Sequence, residues 1–118
     1  MRNQPLTVTA QPHPAGPHVL TVSGELDHHT SAQLRETLDE ITLEAGSRLV
    51  INLSGLTYCD STGITLLVTT YQRAQAAGAK LSLAEPSSYL VRVFSIVGLD
   101  QVFDLQPTTE QAINSLSA

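Results

Sequence analysis

The sequence has one cysteine, no tryptophan, three tyrosines, two phenylalanines and only six Lys and Arg residues. Each scarcity excludes something. A single thiol, Cys59, closes no internal disulfide and builds no metal cluster alone. So few aromatics leave no stacking platform for bases or sugars. With 11 Asp and Glu against those six cations, the formal net charge is −5. Nucleic acid recognition draws on a basic face, so no direct nucleic acid partner is expected. No apolar run nears the ~18 residues of a membrane helix, so no membrane contact is expected. The start, Met1-Arg2-Asn3-Gln4-Pro5, has no apolar stretch like that of a signal peptide, so the expected location is cytoplasmic.

What is present suits a compact fold. Hydrophobic residues make up 42% of 118, enough for one core and too short a chain for two ordinary domains. One domain is expected over 1–118, with its core at about 6–116. Leu6, Val8 and Ala10 alternate with polar neighbours, as on a half-exposed strand. Three prolines among residues 11–17 make a loop. Val19–Val22 reads as a second strand, ending at Gly24 and forming an antiparallel hairpin with the first. Leu34, Leu38 and Ile41 share one helical face. Thr30 with Gln33 fits a capping box at its start, and Gly46 fits a stop. Leu49–Leu53 is a nearly continuous apolar run, as in a central strand covered on both faces. A second helical stripe, Ile64, Leu67, Val68 and Tyr71, ends near Gly78. Leu81 and Leu83 mark a strand. Leu90, Val91, Phe94 and Val97 mark a third helix closed by Gly98. Val102–Leu105 reads as a short strand, and Ala112, Ile113 and Leu116 as a last helix.

This alternation predicts an α/β fold: a four- to five-stranded, mostly parallel sheet with an antiparallel N-terminal edge strand and about four helices. In such sheets function gathers where strand carboxyl ends lead into helices. Two junctions stand out, Gly24-Glu25-Leu26-Asp27-His28-His29-Thr30 and Tyr58-Cys59-Asp60-Ser61-Thr62-Gly63. At the second, Ser61 and Thr62 fall at a helix start, where N–H groups are unpaired and the dipole is positive. A hydroxyl there serves as a cap, and a phosphate there is tolerated. Gly63 allows close approach of another chain. Asp27 reads equally as a capping acid or an interface residue. Cys59, beside the acidic Asp60, reads as a structural thiol. His28 and His29 point apart and have no third ligand nearby, so no metal site is expected.

Enzyme patterns are missing. There is no G-x-S-x-G around Ser61 and no G-x-x-x-x-G-K-[ST] loop. An aspartic protease would lack the extra residue between Asp60-Ser61 and Gly63. A receiver domain would carry an acidic pair after its first strand. No catalytic residue and no cofactor are expected.

Together the two junctions resemble a family. Gly24-Glu25-Leu26-Asp27 is similar to the G-E-L-D motif of bacterial anti-sigma factor antagonists, the small single-domain members of the STAS group. Asn52-Leu53-Ser54-Gly55-Leu56-Thr57 followed by Asp60-Ser61-Thr62-Gly63 resembles their N-L-x-x-L-x-x-x-D-S-[ST]-G segment. Val93-Phe94 with Val97-Gly98-Leu99 is similar to their later stretch. Two positions depart: Cys59 stands where a larger apolar residue is common, and Thr65 where many members have a second glycine. The resemblance implies a STAS fold and a protein-binding switch that is not an enzyme. Ser61 would be the phosphoacceptor, with Asp27, Asp60, Thr62 and Gly63 in the partner interface. The partner would be an anti-sigma factor with serine kinase activity, released on phosphorylation, and a serine phosphatase would reset the switch. The alternative is a STAS interaction module of another regulatory assembly, without serine phospho-switching. A small nucleotide-binding enzyme is the third reading, which nucleotide turnover by the isolated chain would reveal.

Overall fold

The computed structural model describes residues 5–116. Five strands form one sheet in the order β1-β2-β3-β4-β5. They are β1 (Thr7–Pro12), β2 (His18–Leu26), β3 (Arg48–Cys59), β4 (Lys80–Ala84) and β5 (Leu105–Gln106). β1 runs antiparallel to β2, and every other pair is parallel. The helices are α1 (Ser31–Glu40), α2 (Ser61–Ala77), α3 (Ser88–Ile96) and α4 (Thr109–Leu116).

β3 shows why the run Leu49–Leu53 lies at the centre. Successive side chains of a strand point to opposite faces. Leu49, Ile51 and Leu53 join the larger core with Leu34 and Leu38 of α1 and Leu67 of α2. Val50 faces the other way, onto Ala112, Ile113 and Leu116 of α4. Both faces are thus covered, and apolar residues are needed at consecutive positions. Leu90 and Phe94 anchor α3 on the larger core, where Phe94 and Phe103 meet edge to face at 5.5 Å.

Several sequence expectations are corrected. β2 runs through Gly24 to Leu26, with register shifts at Thr21/Ser23 and Gly24/Glu25. Gly24 has φ +100° at this irregularity, a conformation that suits glycine. No capping box forms at Thr30. Thr30 is itself nearly helical (φ −95°, ψ −13°), and the Gln33 amide donates instead to the Leu6 carbonyl at 2.9 Å. Gly46 does not stop α1, which ends at Glu40 with Ile41 extended; Gly46 lies in the turn before β3. Val102 ends a short 3-10 turn (Leu99–Gln101), so the last strand is only Leu105–Gln106. On α3, Leu90 and Phe94 are buried while Val91 and Val97 are exposed. Gly78 does end α2, in the left-handed conformation.

Candidate functional site

Parallel pairing aligns Leu26 at the end of β2 with Cys59 at the end of β3. The two junctions are therefore neighbours at one end of the sheet. The Asp60 N–H donates to the Leu26 carbonyl at 3.1 Å, joining them directly.

After β2, Asp27 organises the turn into α1. Its Oδ1 accepts from the N–H groups of His29 (2.9 Å) and Thr30 (3.0 Å). The Asp27 N–H donates to Thr30 Oγ1 at 2.9 Å, and that hydroxyl donates to the Glu25 carbonyl at 2.8 Å. These bonds, the Thr30 N–H foremost, hold the Asp27 carboxyl below the ordinary carboxylate range. Asp27 thus holds the turn that leads into α1, whose own cap position, Thr30, makes no side-chain cap bond. His28 and His29 are exposed and do not point apart as expected from their adjacency: their ring centroids lie 4.0 Å from each other.

After β3, three consecutive residues are chemically able to cap α2, and Asp60 does it. It is extended (φ −90°, ψ −174°), and its Oδ1 accepts from the Gly63 N–H at 3.0 Å. Ser61 is consequently the first helical residue. It is exposed, and among the described residues its hydroxyl has no hydrogen-bond partner. Thr62 is half-buried beside it. Gly63 is buried, and the close approach expected there from another chain is made within this one. A Cβ at Gly63 would stand 2.7 Å from Leu26 Cγ and 2.8 Å from Cys59 Sγ. The missing side chain lets α2 seat on the end of β2. Cys59 is buried, and burial, then the Asp60 charge, pushes its thiol pKa up to about 12. It is a structural thiol.

Sequence reasoning missed Glu85. It follows β4 with φ +57°, and its Oε2 accepts from Asn52 Nδ2 (3.2 Å), Thr109 N–H (3.2 Å) and Thr109 Oγ1 (3.0 Å). The carboxylate thus holds the start of α4. The signal was Asn52, a polar residue inside an apolar strand run.

Among the described residues no group of three or more His, Cys, Asp or Glu could hold a metal ion. Among the same residues no helix is long and apolar enough to cross a membrane. A cleft of about 450 Å³ among His18, Glu40 and Ser47 lies at the opposite end of β2 and β3 and shares no residue with the junctions.

Residues 8–112 match the STAS domain family. The chain belongs to the STAS domain family. This STAS chain is 33% identical over 94 residues to an anti-sigma-B factor antagonist of Bacillus subtilis, covering 80% of the chain and 85% of that protein. It is 31% identical over 111 residues to the anti-sigma-F factor antagonist RsfB of Mycobacterium tuberculosis, covering 94% and 89%. A crystal structure of an anti-sigma factor antagonist from Mycobacterium paratuberculosis superposes with a TM-score of 0.79 at 27% identity, covering 96% of this chain and 95% of that one. The five-stranded mixed sheet and four helices are therefore the STAS fold.

Proposed function

We propose that this STAS chain acts as one domain that binds an anti-sigma factor carrying serine kinase activity, so releasing a sigma factor, and that phosphorylation of Ser61 switches it off. One observation carries the reading: Asp60 takes the helix cap and leaves the Ser61 hydroxyl exposed and unengaged at the first position of α2. A serine needed as a cap would be tied down; this one is free for transfer of a phosphoryl group. The names of the relatives, antagonists of anti-sigma factors, support the class of partner.

The physical consequence of phosphorylation is large. Phosphoserine adds about −1.5 to −2 charges at neutral pH. These arrive beside Asp60 and near Asp27, on a chain already at −5. Burying that charge against a partner without compensating cations costs several kcal/mol. About 3 kcal/mol weakens binding roughly 150-fold. The α2 dipole favours the phosphate in the free protein, so the switch needs no refolding. Asp27, Asp60 and Thr62 frame the surface the partner would cover, with Gly63 beneath it setting the height of α2. A serine phosphatase resets the state.

The test is phosphate transfer from ATP by the anti-sigma factor. Wild type should be labelled at Ser61 and Ser61→Ala should not. Equal labelling of Ser61→Ala would remove Ser61 as the acceptor and favour a STAS module of another assembly.

A further inference from the structure

Helix α4 is held to the sheet differently from the other three helices. Leu34 of α1, Leu67 of α2 and Phe94 of α3 all join the larger core. The buried residues of α4, Ala112, Ile113 and Leu116, form a separate, smaller core with Val50 and Ala84. Two of those five residues are alanines. Among the described residues, Ile113 and Leu116 are therefore the only large side chains that α4 buries. A helix of eight residues does not persist alone in water, so α4 is helical only while docked.

Polar bonds supply the rest of the attachment, and they converge on Glu85. Its Oε2 accepts from the Thr109 N–H, one of the unpaired donors at the start of α4, and from Thr109 Oγ1. Asn52 Nδ2 donates to the same Oε2 and to Thr109 Oγ1, at 3.2 and 2.7 Å. One carboxylate thus ties α4 to the ends of β3 and β4. Among the described residues Glu85 is also the one non-glycine with a positive φ, +57°. Glycine would hold that backbone without strain, but it has no carboxylate. The other ties are at the margins. Ser115 Oγ donates to Asp104 Oδ2 at 2.7 Å, and His13 Nε2 lies 3.6 Å from the exposed Glu110 carboxylate, where solvent screens the pair.

We infer that α4 is a strap that opens as a unit while the rest of the domain stays folded, and that the Glu85 carboxylate is its latch. Opening breaks the smaller core and bares Val50 and Ala84 on the sheet, while the larger core stays packed. The open form is a minor state, on the order of 0.1–1% of molecules. It is separate from the Ser61 junction, whose Leu26 and Cys59 belong to the larger core. The inference stands or falls independently of the phosphorylation reading.

Native-state amide hydrogen exchange of the full chain tests this. In wild type the amides of Ala112 to Leu116 should exchange about 100- to 1,000-fold more slowly than in an unstructured chain. Those of Leu49 to Leu53 should exchange at least ~5,000-fold more slowly, since they wait for global unfolding. Low urea should speed the β3 amides steeply and the α4 amides hardly at all, because strap opening exposes little surface. Leu38→Ala, a buried change on α1, should speed the β3 amides at least ~30-fold and leave the α4 amides within about 3-fold. Glu85→Gln, which removes the charge from the latch, should speed the α4 amides about 10-fold. One shared rate and one shared urea slope for α4 and β3 overturn the strap, and so does equal acceleration of both by Leu38→Ala. Should Leu38→Ala fail to fold, the wild-type urea slopes decide alone. Unchanged α4 exchange in Glu85→Gln overturns the assignment of Glu85 as the latch.

Discussion

Replacing Gly63 with alanine should destabilise the protein, although alanine is the better helix former. The added Cβ would lie 2.7 Å from Leu26 Cγ, 2.8 Å from Cys59 Sγ and 2.9 Å from Leu26 Cδ2. Normal carbon contacts lie near 3.5–4.0 Å, so the start of α2 or the end of β2 must move by roughly 1 Å. Leu26 is fully buried and Cys59 nearly so; neither has room to swing aside. Overpacking of this kind costs about 1–3 kcal/mol. The helix propensity of alanine over glycine returns up to about 1 kcal/mol. The net loss is about 1–2 kcal/mol, or roughly 4–12 °C in Tm for a domain of this size. Urea denaturation at fixed pH measures it. A double-mutant cycle with Leu26→Ala then isolates the contact. Leu26→Ala alone costs about 2–5 kcal/mol, and the double variant should be more stable than the sum by at least ~0.5 kcal/mol. A Gly63→Ala protein as stable as wild type, or strict additivity with Leu26→Ala, would refute the close seating of α2 on β2.

Asp60→Ala should cost about 0.5–2 kcal/mol through loss of the α2 cap, while Asp60→Asn should cost less because its amide oxygen still accepts from Gly63. Ser61→Ala, at an exposed hydroxyl with no partner, should stay within about 0.5 kcal/mol of wild type by the same denaturation assay. Cys59, with its thiol pKa near 12, should resist iodoacetamide at pH 8 unless the chain unfolds. Its folded pKa lies above the unfolded value of 9.0, so the protonated thiol's contribution is intact below pH 9 and declines as pH rises toward 12. The decline is at most about 1.4 kcal/mol per pH unit, and it should vanish in Cys59→Ala.

Much of this fold was legible because its signals are periodic. Alternation marked β1, the two-sided run marked β3, and the i, i+3, i+4 stripes marked the helices. What escaped were contests between residues able to do the same job. Asp60, Ser61 and Thr62 are all good caps, and only the extended backbone of Asp60 decides which one acts. Thr30 and Asp27 compete in the same way; Asp27 takes the N–H groups, and Thr30 bridges back to Glu25. The end of α1 carried no stop signal of its own, since Gly46 serves the turn into β3. β3 extends through Ser54 and Gly55 because β2 continues beside it past two irregularities, a tertiary cause with no local mark. Glu85 was hidden for a related reason. Its partners, Asn52 and Thr109, lie 33 and 24 residues away in the chain.

The central claim is that Ser61 carries the switch at a protein interface. The direct measurement is the affinity of an anti-sigma factor for this protein unmodified and with phosphoserine at position 61, at physiological salt. The structure-based account predicts at least a ~100-fold weaker complex for the phosphorylated form, with Ser61→Ala binding as wild type does. Equal affinity of the phosphorylated and unmodified forms would contradict it.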